Sequence, residues 1–430
     1  LSSRPAPSLP LLREIAVYAI GRAARADSAT AASLLGAWRE RLGDTEQRAA
    51  WGAIGFHAAR RHEADALRHF VAAGPLALND AQREWWARAG LRAGDWGAVA
   101  TAIDSMSAAN REISVWRYWR ARAYKAQGQG ANATRLLLAL AREPQYYGQL
   151  AQEELGPTLR QANVNIKPGS DEVEAAQKLP GIARALALYE LGWRTDAAAE
   201  WNFTVQRMSD DRQQLAAAEV ARRIGWYDRA IYAAELTRDH HDFELRFIAP
   251  YRELASAAAR AQGIDEAWVY GLMRQESRFV NVARSGVGAS GLMQIMPATA
   301  RWIARKLGLG QADAANMGDP ETNIRFGTFY LSHLLKQLDN SSVLATAGYN
   351  AGPGRAQRWR ADTALEGAVY VETIPFLETR DYVRKVLSNA MYYAARFNQT
   401  SPLLRERLGR VPPRAGRAPA AAPEDADLPS

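Results

Sequence analysis

Over its first 159 residues the chain repeats one pattern, an amphipathic helical stretch closed by a glycine-bearing turn, and this repetition limits the fold more than any other feature. Trp86-Ala-Arg-Ala-Gly-Leu-Arg-Ala-Gly-Asp-Trp-Gly and Tyr118-Trp-Arg-Ala-Arg-Ala-Tyr-Lys-Ala-Gln-Gly-Gln-Gly each gather aromatics and alanines on one helix and then break it at glycine. Leu188-Tyr-Glu-Leu-Gly-Trp and Arg223-Ile-Gly-Trp-Tyr-Asp-Arg-Ala carry the arrangement further along. The units have no fixed period, yet they resemble helical-hairpin arrays, tetratricopeptide-like or of another kind, whose neighbours stack into a curved solenoid. Strand signals are sparse, and stretches such as Ala216–Arg222 and Ala255–Ala261 consist mostly of strong helix formers. The expected fold class is therefore all-α.

Two interruptions suggest boundaries. Asn, Pro, Gly and Ser cluster at 161–171, and Pro250 breaks the pattern at 243–251. Beyond residue 407 the chain turns rich in Pro and Ala, too poor in large apolar side chains to fold alone. The expected division is a helical superhelix at 1–165, a helical linker domain at 166–242, a third domain at 243–407 and a disordered tail at 408–430.

Composition removes several function classes. There is no cysteine, which excludes disulfides, thiolate nucleophiles and thiol-ligated metals. The charge of +8 comes from 54 basic and 46 acidic side chains, but the basic residues stand one or two at a time, as on solvated helix faces, so no nucleic-acid partner is expected. No apolar run approaches the roughly 18–20 residues of a transmembrane helix, and no export signal is visible. The six histidines include no His-Glu-x-x-His, so no metal is expected. Ser277 and Ser290 lack the Gly-x-Ser-x-Gly elbow of a serine hydrolase. Trp86, Trp116, Trp119 and Tyr146 fall at helical spacing and read as core rather than sugar-stacking platforms.

The texture changes between Ile264 and Phe397, where Gly, Pro, Asn and Ser recur among apolar helices. Asp265-Glu-Ala-Trp-Val-Tyr-Gly-Leu-Met-Arg-Gln-Glu-Ser-Arg-Phe reads as a helix capped by Asp265, with Trp268, Val269, Leu272 and Met273 facing the core. Glu276 falls on or beside that stripe, where a neutral acid is favoured over a carboxylate. Such a glutamic acid can donate a proton to a leaving oxygen. The competing reading is a structural ion pair with Arg274, Arg278 or Arg284.

The sequence that follows decides between them. Asn281-Val-Ala-Arg-Ser-Gly-Val-Gly-Ala-Ser-Gly-Leu-Met-Gln-Ile-Met-Pro-Ala-Thr-Ala, then Asp319-Pro-Glu-Thr-Asn, then Ala347-Gly-Tyr-Asn-Ala-Gly-Pro-Gly-Arg, then Tyr370-Val-Glu-Thr-Ile-Pro-Phe-Leu-Glu-Thr-Arg-Asp-Tyr-Val form an ordered set. It resembles the soluble lytic murein transglycosylases of the large periplasmic type, densely from about Phe243 to Phe397 and more loosely before. Gly348 stands where that family often has alanine, and the helical region is shorter than in its longest members.

The resemblance implies a goose-lysozyme-like catalytic domain that cuts the MurNAc–GlcNAc β-1,4 bond of peptidoglycan exolytically, in the periplasm, without a cofactor. Glu276 would protonate the glycosidic oxygen and then take the proton of the sugar's own 6-hydroxyl, leaving a 1,6-anhydro-MurNAc end. Ordinary glycosidases add a second carboxylate ~5–5.5 Å away when retaining and ~6.5–9.5 Å away when inverting. No Asp or Glu follows Glu276 until Asp313, although Glu321, Glu372 or Glu378 could fold back. The family's chemistry uses the substrate's acetamido group instead. Ser285 matches a serine near the acetamido group or anhydro product, Gln294 and Met296 match cleft-lining positions, Tyr349 and Asn350 sit on the Tyr-Asn turn, and Glu378 matches a contact to muramic acid. An ion pair with Arg380 is the structural alternative for Glu378. The helical array would be free to recruit periplasmic protein partners. Two rivals remain: a hydrolytic lysozyme of the same fold, and a non-catalytic wall-binding scaffold.

Overall fold

The structure, a computed structural model, describes residues 10–156, 166–400 and 403–414. Twenty-six α-helices run through the described residues, and the strands number two, each of two residues. The all-α expectation holds. The chain falls into two compact units, each discontinuous in sequence. One gathers the described residues of Leu1–Leu159, Ser341–Arg384 and Leu404–Gly416, the other those of Arg160–Asn340, Lys385–Leu403 and Arg417–Ser430. In these units residues 341–384 and 404–414 pack with the N-terminal helices.

In the first unit the hairpin pattern forms as its sequence dictates. The helix Asp80–Ala93 opens on a reciprocal Asn79–Gln82 cap and ends at Gly94 with φ 70°, a left-handed conformation that glycine takes without strain. Asp95 then caps Trp96–Ser105 through the Ala98 N–H. The aromatics of this region are core: Trp86, Trp116, Trp119 and Tyr146 are all buried. Removing each such side chain from water contributes on the order of 2–3 kcal/mol.

The C-terminal pieces are tied to these helices by arginines. Arg122 grips both oxygens of Glu366 at 2.9 and 3.0 Å, and Arg92 donates to the Trp359 carbonyl and the Thr373 hydroxyl, each at 3.1 Å. Leu365–Glu366 pairs antiparallel with Arg410–Val411, and Val411 is buried. Residues 408–411 of the expected tail are instead part of the unit, because Leu408 and Val411 supply apolar anchors; residues 415–430 lie outside the described residues. Residues 161–165 of the expected boundary at 161–171 lie outside them as well.

In the second unit an apolar cluster around Trp201 and Trp226 draws on residues 173–245. Its other helices carry the Glu276 segment. Among the described residues no helix is long and apolar enough to cross a membrane.

Candidate active site

Glu276 sits in the last turn of the helix Glu266–Ser277, half-buried, with every residue from Ala267 to Arg274 buried ahead of it. Asp265 caps the helix by accepting the Ala267 N–H at 2.9 Å. The helix stops abruptly because Arg278 and Phe279 both take positive φ, 47° and 66°. For non-glycine residues this costs about 1–2 kcal/mol each. Two attachments offset it: Phe279 is buried against Tyr270 and Tyr393, and Arg278 pairs with Glu235 at 3.1 Å. Backbone held this way gathers at functional sites.

Glu235 also takes Arg274, at 2.8 Å. Burial would raise the Glu235 carboxyl, but Arg274 and Arg278 outweigh it and hold it below the usual carboxylate range. Two of the three arginines proposed as structural partners of Glu276 thus spend their ion pairs on another acid. Ser277 points back into the fold: its hydroxyl donates to the Leu292 carbonyl at 2.7 Å and accepts the Phe279 N–H at 3.1 Å. The Glu-Ser pair therefore divides its labour, with the serine joining the helix end to the glycine-rich loop.

That loop is a small ribbon. Arg284 bridges Ser290, and Ser290 bridges Ile295. Ser285 closes its tip by accepting the Ala289 N–H on its hydroxyl oxygen at 2.9 Å, which leaves the hydroxyl proton to donate elsewhere. Gln294, at φ 47°, does not present its amide N–H groups outward. It gives them to the Ala283 and Gly291 carbonyls, at 3.1 and 2.8 Å, so its side-chain oxygen is the group left for a ligand. Met296 is 39% exposed and offers an apolar surface.

Asn323, which the sequence reading did not single out, clamps this loop from below. It is buried, accepts the Met293 N–H at 2.7 Å, and donates to the Ser290 and Met317 carbonyls at 2.9 and 3.0 Å. Gly291 makes room for it: a Cβ there would stand 2.1 Å from the Asn323 amide nitrogen and 2.2 Å from the Met317 carbonyl. The signal was present in Asp319-Pro-Glu-Thr-Asn, read only as a cap. Asn323→Ala is expected to destabilise by about 2–4 kcal/mol, since it strands buried backbone groups. Thermal melting checks this, and an unchanged melt would show that the loop holds itself.

Tyr349, Asn350 and Glu378 belong to the other unit. Tyr349 and Asn350 end the helix Ser342–Ala351, where Gly352 turns the chain. The Thr379 hydroxyl donates to the Asn350 side-chain oxygen at 2.6 Å, which joins the Tyr-Asn turn to the Glu-Thr-Arg block. Asn350 and Glu378 line one cavity of about 560 Å³. Glu378 is exposed and does not pair with Arg380, whose partner is Glu372 at 3.9 Å.

Glu372 itself is fully buried and cannot serve as a second catalytic carboxylate. Arg88 holds it at 3.0 Å, and Arg384 and the Tyr147 hydroxyl complete the set. Burial alone would push its carboxyl up, but Arg384, Arg88 and Arg380 outweigh that and bring it down to about 2. The histidines are likewise occupied: the His62 ring bonds the Thr373 carbonyl at 2.8 Å and His69 stacks on Trp51. Among the described residues no three His, Asp or Glu side chains group as a metal site.

Comparison with known proteins agrees with this layout. The transglycosylase SLT domain family matches residues 253–368, the soluble lytic murein transglycosylase L domain matches 175–237, and the soluble lytic transglycosylase helical domain matches 373–402. A soluble lytic murein transglycosylase of Salmonella typhimurium is 33% identical over 327 residues, which is 74% of this chain and 49% of that protein. The chain spans about half the length of the curated relatives it matches. Among solved structures, an inactive mutant of the lytic transglycosylase Slt from Pseudomonas aeruginosa superposes with a TM-score of 0.82 at 32% identity, covering 94% of this chain and 66% of that one. The 70 kDa soluble lytic transglycosylase of Escherichia coli gives 0.75 at 25% identity, covering 95% and 65%. The chain thus carries the transglycosylase SLT domain, with the Glu-Ser helix end and the clamped glycine-rich loop inside it, and is a relative of the soluble lytic murein transglycosylases.

Proposed function

We propose that this chain cleaves the MurNAc–GlcNAc β-1,4 bond of peptidoglycan by intramolecular transglycosylation, with Glu276 as the sole catalytic carboxyl group. The observation that carries the reading is the placement of Glu276: half-buried at an abrupt, strained helix end, while Glu235 absorbs the charge of Arg274 and Arg278. In that position the carboxyl group donates its proton to the glycosidic oxygen as the bond breaks. The substrate's acetamido oxygen attacks the anomeric carbon as the glycosidic bond breaks, and Glu276, now a carboxylate, takes the proton of the 6-hydroxyl as the 6-oxygen displaces the acetamido oxygen from that carbon and closes the anhydro ring. Water is not consumed. Ser285 and Tyr349 orient the acetamido group, the Gln294 oxygen, Asn350 and Glu378 bind sugar substituents, and Met296 forms an apolar wall. No metal or organic cofactor enters the scheme.

The substrate places the protein's work outside the cytoplasm, in the periplasm. The division into a superhelical region to 165, a linker domain to 242 and a catalytic domain to 407 is the functional counterpart of the three motif regions. Further protein partners would dock on the helical array.

Incubation of purified sacculi with the chain tests the enzymatic reading. Soluble muropeptides are expected in the supernatant; sedimentation of the chain with intact sacculi, without release, would make it a binding scaffold instead.

A further inference from the structure

Glu235 ends the helix Tyr227–Glu235, within the residues that match the L domain and ahead of those that match the SLT domain, yet both its oxygens reach the helix that carries Glu276. Oε1 takes the Arg274 guanidinium at 2.8 Å and Oε2 that of Arg278 at 3.1 Å, so one carboxylate grips the helix across its last turn. Both ends of this grip are anchored. Arg274 is buried, donates from Nε to the Arg246 carbonyl at 3.0 Å and lies 4.7 Å from the centre of the Phe247 ring. Arg246 in turn donates to the Ala234 and Thr237 carbonyls, both at 2.9 Å, which fixes the helix end from which Glu235 projects.

Glu276 stands in sequence between the two gripped arginines. Helical residues advance about 100° each, so Glu276 leaves its helix roughly 200° around from Arg274, on the side away from Glu235. An acid on that far side feels the grip through the backbone. The backbone there depends on it: Arg278 sits at φ 47°, a left-handed conformation that a non-glycine residue keeps only when its surroundings impose it. Without Glu235, Arg278 loses the ion pair that ties its side chain down in that conformation, and the turn bearing Glu276 can shift. Proton transfer needs the donor within hydrogen-bond reach of the leaving oxygen, and a displacement of about 1 Å can cost roughly a hundredfold in rate.

We propose that Glu235 is a positioning residue for the reaction, holding the helix end so that the Glu276 carboxyl group meets the glycosidic oxygen. The inference rests on the transglycosylase reading above and adds to it a residue from outside the SLT-domain match.

The test compares the full chain with Glu235→Gln, Glu235→Asp, Arg278→Ala and the double variant Glu235→Gln/Arg278→Ala. Rates on soluble glycan strands are taken per folded molecule, below the melting temperature of each protein. The side chains of Glu235 and Arg278 are 35% and 37% exposed, so water can replace either partner and the variants are expected to fold. Glu235→Gln should lower kcat by about tenfold at unchanged KM, and Glu235→Asp, which keeps the charge, should restore most of it. Arg278→Ala should lose less, and the double variant no more than Glu235→Gln, because both changes act through one grip. Wild-type kcat in Glu235→Gln, no recovery in Glu235→Asp, or losses that multiply in the double variant overturn the proposal. Amide hydrogen exchange reads the grip without activity: residues 274–280 should exchange faster in Glu235→Gln than in the wild type, and equal rates contradict the proposal. If the wild type cuts no strand, the transglycosylase reading fails, while the exchange still decides whether Glu235 holds the helix end.

Discussion

Glu276→Gln is expected to lower kcat on peptidoglycan by about a thousandfold while leaving KM and the melting temperature near the wild type, because it removes the proton donor and the base in one step. Glutamine keeps the shape and polarity of the side chain but can neither give nor take the proton. Stability is spared because Glu235 still pairs with Arg274 and Arg278, and Phe279 and Ser277 still fix the helix end, in the variant. Rates on soluble glycan strands, read beside a thermal melt, separate the two effects. Activity within tenfold of the wild type would remove Glu276 from the chemistry, and an equal loss of fold would make it structural.

Glu372→Gln should produce the largest loss of stability, about 3–5 kcal/mol, since one partner is taken from a fully buried charge cluster. Arg88, Arg380 and Arg384 would then share a desolvated site without their common counter-ion. Glutamine is close in volume, so a large loss reports charge rather than a cavity. The wild type should show the matching pH dependence. The folded-state value of about 2 lies below the ordinary carboxylate value of roughly 4.3, so this stabilisation is complete above the latter and is lost as pH falls from there through about 2. Denaturant midpoints at pH 7 and pH 3 should therefore differ less in Glu372→Gln than in the wild type. Equal pH dependence in both proteins would show that Glu372 is not the group responsible.

Local features of this molecule were legible in its sequence, and features that depend on distant partners were not. The Asp265 cap, the buried stripe behind Glu276, Pro320 after its Asp319 cap and the turn at Gly94 each follow from a few neighbouring residues, and each is where its pattern places it. Glu372 was legible only as one of several acids that could fold back, since its fate depends on Arg88, 284 positions earlier. The same distance hid Arg60 and Trp85, helix residues that line the same cavity as Asn350 and Glu378. Gln294 shows a different limit: its residue type suggested an amide facing the ligand, whereas the left-handed backbone turns the N–H groups into the loop. Val411 shows a third, because a two-residue strand in a Pro-rich stretch has no periodicity to read and depends on its partner at Leu365.

The most direct test of the central claim is the mass of the muropeptides that the wild-type chain releases from purified sacculi. The account predicts 1,6-anhydro-MurNAc ends, lighter by one water than reducing ends. Reducing ends from the same digestion would contradict it and make the chain a hydrolytic lysozyme built on the same fold.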